Sequence, residues 1–176
     1  MGRRKGRCGE VVILGVDPGY AIVGYGCIEY VSGRYHILGY GAVTTDAGVP
    51  FPDRLETIYR DLDFLIKKYR PQVMAVEELF FTSNQKTAIA VAQARGVILL
   101  CGTHNGVEVE EYTPLQVKQS VVGYGRAEKK QVMEMTKSLL GLAEVPKPDD
   151  TADALAIAIC HAHSSGSQMR RIRAGI

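Results

Sequence analysis

The stretch from Val11 to Gly19 most limits what this chain can fold into, because it is an apolar run that ends in a carboxylate. Six residues without a polar side chain precede Asp17. Both faces of an extended chain would be apolar here, which is typical of a strand buried within a sheet. A charge at the end of such a strand is costly unless solvent, a cation or a hydrogen-bonding partner is near. The sequence therefore predicts a central strand whose last residue, Asp17, needs a partner from elsewhere in the chain.

Length and composition indicate one soluble domain. The chain has 176 residues, of which 46% are hydrophobic and 23% charged, and no apolar run approaches the roughly 18 residues that a membrane span needs. The basic residues before Glu10 are not followed by a secretory cleavage pattern, so we expect a cytoplasmic protein. We expect a basic extension over residues 1–10, a folded domain over 11–163 and a flexible basic tail over 164–176.

The four cysteines show no metal-ligand or disulfide spacing. They are scattered along the chain without a Cys-x-x-Cys pair, which argues against a zinc site and against a disulfide framework. We interpret them as reduced thiols.

The pattern along the chain predicts an α/β fold. Two glycine-containing, alternating segments follow the first strand and are joined by Ser32-Gly33, so the chain begins with three antiparallel strands. An amphipathic helix then leads from Pro52 to Tyr69, and the apolar strand that begins at Val73 follows it. Strand, helix, strand order favours a parallel pair with a right-handed crossover. With a shorter strand ending at Tyr112, this gives a mixed sheet of about five strands flanked by helices.

The helix that follows this strand is apolar nearly all round. From Thr87 to Cys101 it carries Arg95 as its one charged residue. Such a helix is either packed inside a core or part of an oligomer interface, and the pattern alone does not choose between them.

Four carboxylates are expected to converge at one edge of the sheet. If the strands ending at Asp17 and Glu77 are parallel neighbours, their carboxyl ends meet where open α/β folds bind ligands. Asp150 and Asp153 lie at i and i+3 in the first turn of the last helix. Alternation favours Glu77 over Glu78 for this site, although either could contribute, and the adjacent Asp149 leaves the third acid ambiguous.

Crowded carboxylates favour hard divalent cations. Like charges raise each other's pKa unless a cation with oxygen preference neutralises them, and Mg²⁺ meets that need. Two such ions sharing one carboxylate form a clamp for attack of water on a phosphodiester. The acids therefore predict a metal-dependent nuclease.

Six motifs follow one another along the chain in a highly specific order: Leu14-Gly15-Val16-Asp17-Pro18-Gly19, Val76-Glu77-Glu78-Leu79-Phe80, Gln93-Ala94-Arg95-Gly96, Gln116-Val117-Lys118-Gln119, Ala127-Glu128-Lys129 and Asp150-Thr151-Ala152-Asp153-Ala154-Leu155-Ala156. Together they resemble the RuvC family of bacterial crossover junction endodeoxyribonucleases. The resemblance extends from about Val11 to His163. The basic extension before Glu10 has no counterpart in the family's usual short start.

The resemblance implies a ribonuclease H-like fold, a homodimer and symmetric cleavage of four-way (Holliday) junctions in DNA recombination and repair. It implies two Mg²⁺ ions per site, with Mn²⁺ as a substitute, and a branch-migration complex, RuvA and RuvB, as partner. In this family the matching acids bind the metals, Lys118 and Lys129 fall on phosphate-contacting lysines, and Phe80 falls on an aromatic residue that stacks on a base. Those acids are Asp17, Glu77, Asp150 and Asp153.

Two other functions compete with this one. An RNA-processing nuclease of the same fold shares the first motif but not the context of Phe80 and Lys118. A non-catalytic junction-binding protein is the second rival, and the four acids argue against it, because concentrated negative charge weakens phosphate binding.

Overall fold

The computed structural model describes residues 10–79 and 85–174, and for residues 85, 86 and 165–174 it describes the backbone alone. Five strands form one sheet in the order β3-β2-β1-β4-β5. The strands are β1 (Glu10–Asp17), β2 (Ile22–Val31), β3 (Arg34–Thr44), β4 (Val73–Glu77) and β5 (Glu108–Tyr112). The helices are α1 (Phe51–Tyr69), α2 (Gln85–His104), α3 (Pro114–Val122), α4 (Lys129–Leu140) and α5 (Asp149–Ala174).

The pairing of the strands is the one expected from the sequence. β1 pairs antiparallel with β2, and β2 pairs antiparallel with β3. β4 lies on the other side of β1 and runs parallel to it, and β5 is parallel to β4. The apolar run before Asp17 is therefore the middle strand of a mixed sheet, as predicted, and the expected ribonuclease H-like arrangement is confirmed.

Successive side chains of β1 point to two cores on opposite sides of the sheet. Leu14 and Val16 face a core shared with α1 and α2, whereas Ile13 faces a core shared with α3, α4 and α5. Asp17 has the parity of Ile13, so it belongs to the side of the sheet that α5 covers. The helices thus form one layer on each side of the sheet, and the acid of β1 lies under α5.

Glycines on the α5 side of the sheet let this helix approach the strands closely. A Cβ atom added to Gly15 would lie 2.0 Å from the carbonyl oxygen of Ala154, and one added to Gly24 would lie 2.0 Å from that of Asp150. Real side chains do not tolerate such contacts, so only glycine fits at either position. Because Gly24 pairs with Asp17, this contact places the start of α5 beside the end of β1.

Local capping interactions set the ends of two helices. Thr113 and Gln116 form a reciprocal capping box at the start of α3. Gly141 adopts φ 64° and ends α4, as the sequence indicates. Thr82 and Gln85 have the sequence spacing of another capping box, but Thr82 lies outside the described residues.

The last helix extends further than expected. Its backbone is helical as far as Ala174, past Ser164, where the flexible tail was expected to begin. Gln, Met and Arg in this segment are good helix formers, and the Ser and Gly content that suggested a tail is too weak to end a helix already propagating. Asp149 is of a residue type that often caps a helix from outside, but in the structure it is the first residue of α5.

Within the described part of the chain, no helix combines the length and the apolar character needed to cross a membrane.

The glycine contact beside Asp17 leads to a first prediction. Gly24→Ala should lower the free energy of unfolding by about 1 to 3 kcal/mol, because its methyl group overlaps the carbonyl of Asp150. Chemical denaturation measures this. Gly48→Ala is the matched control, since an added Cβ there meets only an Asp46 oxygen at 3.5 Å, and it should change stability by less than about 0.5 kcal/mol. Equal stability of both variants would show that α5 is not packed as closely as described.

Candidate active site

Asp17 and Glu77 end neighbouring parallel strands. Val16 pairs with Val76 in the β1–β4 ladder, so the next residue of each strand lies at the same edge of the sheet. Ala75 belongs to the core on the α5 side, and Glu77 shares its parity. The two carboxylates therefore emerge on one face of the sheet, as predicted, whereas Glu78 lies beyond the end of β4.

Asp150 and Asp153 approach from the first turn of α5. Ala152 and Ala154 are buried against the sheet, and Asp153 interrupts this apolar packing with a side chain that is 28% exposed. Asp149 is more open, with a side chain that is 58% exposed. The start of α5 thus presents Asp150 and Asp153 towards the strand ends.

Burial and mutual repulsion dominate the electrostatics of this cluster. Burial, followed by the charges of Glu77, Asp153 and Asp150, raises the pKa of Asp17 to about 8. Burial and then the charge of Asp153 raise the pKa of Glu77 to about 7, against the opposing effect of Lys129 and Lys118. Three elements of the fold therefore contribute acids to one electrostatically coupled group.

The same couplings bear on the two acids left ambiguous by the sequence. Asp150 acts directly on Asp17, whereas Asp149 acts on Asp153 and pairs with Lys129. Glu78 lies beyond the end of β4, so Glu77 is the better placed of the two glutamates.

Lys129 provides the cationic partner of this cluster. Its Nζ lies 2.9 Å from Oδ2 of Asp153 and 3.7 Å from Oδ2 of Asp149. Burial lowers the pKa of Lys129, but the hydrogen bond from its ammonium to Asp153 and the nearby acids outweigh this and raise it. A lysine at the start of α4 therefore compensates part of the negative charge, which the sequence alone did not predict.

The donor chemistry fits a hard divalent cation. All four candidate ligands are carboxylates, and the raised pKa values of Asp17, Glu77 and Asp153 show that this group favours added positive charge or protons. Within residues 10–79 and 85–174, no three acidic, histidine or cysteine side chains converge closely enough in this conformation to hold one ion.

The expected DNA-contacting residues are only partly described. Lys118 lies on α3, and its charge acts on Glu77; Lys129 begins α4 beside Asp153. Both lysines therefore border the acidic cluster. Phe80 lies outside the described residues.

Two residues near the site belong to the family motifs, but the sequence assigns them no role of their own. Gly15 lies in the apolar run of β1, and α5 packs directly on it. Arg95 is the one charged residue between Thr87 and Cys101, and its Nε donates a hydrogen bond to the backbone carbonyl of Glu77 at 3.1 Å. A lone charge in an apolar helix was the signal that could have revealed it.

Comparison with known proteins identifies the family. The family model described as crossover junction endodeoxyribonuclease RuvC matches residues 13–161. The chain belongs to this family. Among curated RuvC proteins, that of Alkaliphilus oremlandii is 56% identical over 93% of this chain and 100% of its own length. That of Clostridioides difficile is 59% identical over 88% of this chain and 92% of its own.

A solved RuvC structure has the same fold. RuvC of T. thermophilus, in complex with a Holliday junction substrate, matches with a TM-score of 0.84 and 36% identity, covering 88% of this chain and 94% of that one. The match confirms the ribonuclease H-like fold expected from the sequence.

The raised pKa of Asp17 gives the second prediction. Because the folded state holds this proton more tightly than the unfolded chain does, stability of the metal-free protein falls as the pH rises from about 4, the unfolded value, to about 8. Asp17→Asn removes the buried charge, so it should raise the free energy of unfolding at pH 8 by on the order of 2 kcal/mol.

Urea denaturation in the presence of a chelator measures this effect at pH 4 and pH 8. At pH 4 the gain should largely disappear, because Asp17 is then protonated in the folded state and half-protonated in the unfolded one. Glu56→Gln, at an exposed position of α1, is the control and should be neutral at both pH values. A destabilised Asp17→Asn protein at pH 8 would contradict the electrostatic description of the site.

Proposed function

We propose that this chain is a crossover junction endodeoxyribonuclease that resolves four-way (Holliday) junctions by paired, symmetric, metal-dependent hydrolysis of phosphodiester bonds. The observation that carries the proposal is the coupled group of acids at the ends of β1 and β4 and at the start of α5. Membership of the RuvC family supplies the junction as substrate. Such an enzyme acts in recombination and repair on chromosomal DNA, which places it in the cytoplasm.

The metal assignment follows from the donor set. We assign Asp17, Glu77, Asp150 and Asp153 as ligands of Mg²⁺, two ions per site, with Mn²⁺ as a substitute. When bound, the ions supply neutralisation of the phosphate charge and activation of the attacking water. Asp17 is the best candidate for the shared ligand, because its carboxylate is coupled to all three of the others.

The protein's own residues position the substrate. Lys118 and Lys129 border the acids, so their ammonium groups are available to phosphates on either side of the scissile bond, and such contacts dominate affinity for nucleic acids. Because Lys129 pairs with Asp153 in this structure, binding of metal and DNA would exchange that partner for a phosphate. Phe80 follows Glu77 closely in the chain, and we assign it to stacking on a base at the crossover.

The alternatives are less well supported. A non-catalytic junction-binding protein has no use for buried acids that repel each other and the substrate. For an RNA-processing nuclease, neither the matching family model nor the relatives carry an RNA-directed name.

Cleavage of a synthetic four-way junction is the direct test. With Mg²⁺ the purified protein should cut the junction symmetrically in paired strands. Asp17→Asn should bind it with unchanged affinity but reduce cleavage by about 1000-fold or more, since it removes a ligand shared by both ions. Glu56→Gln serves as the control and should cut normally. Equal cutting of junction and linear duplex would rule out a resolvase, and preferential cutting of RNA would favour the competing nuclease.

We further propose a homodimer formed through α2, working with RuvA and RuvB. Two symmetric cuts need two active sites. Ile89 and Leu100 are 63% and 61% exposed, and together with the exposed Gly96 they follow i, i+7, i+11 spacing along one side of the helix. The sequence left open whether this helix is buried or an interface, and α2 has both a buried and an exposed apolar side.

Sedimentation tests the dimer. The wild-type protein should sediment as a dimer at micromolar concentration, and Leu100→Asp should weaken association by about tenfold or more, because it places a charge within an apolar contact. The matched control is Leu38→Asp on β3, which is 41% exposed and should remain dimeric. A wild-type monomer, or equal behaviour of the two variants, would contradict this interface.

A further inference from the structure

Arg95 connects three elements around the end of β4. It lies on α2, and its side chain is only 16% exposed. Its Nε donates a hydrogen bond to the backbone carbonyl oxygen of Glu77 at 3.1 Å, while its Nη2 pairs with the carboxylate of Glu111 on β5. One guanidinium therefore binds the last residue of β4 and the neighbouring strand at the same time.

The backbone around Glu77 is held from two sides. On one side, Glu77 is paired with Tyr112, and the amide of Glu78 donates to the carbonyl of Tyr112 at 2.8 Å. On the other side lies the hydrogen bond from Arg95. β4 ends at Glu77, and the bond from Arg95 adds a side-chain restraint at the point where the chain leaves the sheet.

The guanidinium suits this position better than another cation would. A planar fork can direct two separate N–H groups to a carbonyl and a carboxylate, which a single ammonium cannot do in the same geometry. Burial lowers the pKa of Arg95 and the charge of Glu78 opposes this, but an arginine stays protonated under these conditions. The contact to Glu77 is thus permanent across the working pH range.

We propose that Arg95 is a positioning residue for Glu77: its Nε–H holds the Glu77 backbone so that the carboxylate points to Asp17 and the start of α5. The proposal rests on the function proposed above for these acids. In this proposal the hydrogen bond to the Glu77 carbonyl positions the carboxylate, and the ion pair with Glu111 only orients the guanidinium. If Arg95 had a purely structural role, the ion pair would be the important contact and the hydrogen bond would matter little.

Four substitutions separate these roles. In Arg95→Gln the side-chain nitrogen is bonded to Cδ, as Nε is in arginine, so the glutamine can donate to the Glu77 carbonyl but loses the charge and the ion pair. Arg95→Lys keeps the charge and can reach Glu111, but it has no donor at the ε position. Arg95→Met has the bulk of the aliphatic part and neither interaction. Glu111→Gln removes the ion pair and leaves the arginine.

The test measures three quantities for each variant: the rate of single-turnover junction cleavage, the dissociation constant of the protein–junction complex and the melting temperature of the protein. We expect Arg95→Lys and Arg95→Met to cleave about 10-fold to 100-fold more slowly, because a displaced carboxylate is costly in the transition state. Arg95→Gln and Glu111→Gln should stay within about threefold of the wild type. Junction affinity should stay within about twofold throughout, since phosphate contacts determine it.

Either of two results would overturn the proposal: a normal rate for Arg95→Lys, or a rate for Arg95→Gln as low as that of Arg95→Met. If Arg95→Met does not fold, the comparison of the Lys and Gln variants still decides, because the two roles predict opposite orders for them. A loss of junction affinity equal to the loss of rate would also overturn it.

Hydrogen exchange provides a measurement that does not depend on activity. The Glu78 amide bonds to Tyr112 in the wild-type protein, and we expect it to exchange about fivefold faster or more in Arg95→Lys but not in Arg95→Gln. The amide of Leu14, in the middle of β1, is the internal control. If the wild-type protein fails to cut junctions, the proposed function fails, and the exchange of Glu78 still decides whether Arg95 holds this strand end. Unchanged exchange in Arg95→Lys would refute the proposal.

Discussion

The contact between α5 and the middle of the sheet is the constraint on which the site depends. The helix backbone lies directly on Gly15 and Gly24, where no side chain fits. Because side chains project from a helix at fixed angles, this close packing determines how far Asp150 and Asp153 reach towards the strand ends. A larger residue at either glycine would move the helix outward, and the acids of α5 would move with it.

The same geometry places charges where they are unfavourable. Asp17 and Glu77 are half-buried among other acids, and burial with mutual repulsion raises their pKa values to about 8 and about 7. In this structure the ammonium of Lys129 offsets part of this repulsion through Asp153. A divalent cation would offset more, so the arrangement that is unfavourable for the carboxylates alone is the one that favours metal binding. The repulsion that is unfavourable for folding is therefore also what attracts a cation, as is common for clusters of groups with perturbed pKa values.

The sequence predicts the sheet and the acids well because both follow from short-range patterns. The apolar run before Asp17 and the alternation that selects Glu77 require only the period of a strand, and Asp150 with Asp153 require only the period of a helix. The family motifs predict the fold and the junction as substrate. Contacts between distant segments depend on three-dimensional placement, which short-range patterns do not predict. They include the packing of α5 on Gly15, the pairing of Lys129 with Asp153 and the bond from Arg95 to Glu77. The helical backbone of α5 beyond Ser164 has another origin, since weak helix breakers are overruled once a helix is established.

Helix α2 has a buried side and an exposed side, and both carry apolar residues. Its apolar composition indicated either a core or an interface, and in the structure one side is buried, with Ile98 fully buried, while another leaves Leu100 exposed. Arg95 lies on this helix and contacts Glu77. The helix proposed to join two subunits is thus also in contact with the strand end that carries an active-site acid.

The central claim is that carboxylates from β1, β4 and α5 form one metal centre. Crystals soaked with Mn²⁺ and examined by anomalous diffraction test it most directly, because the ion itself is located. The predicted result is an anomalous peak coordinated by Asp17 together with Glu77 or an aspartate of α5. An ordered Mn²⁺ bound by Glu78 or Asp149 with Asp17 uncoordinated would contradict the account.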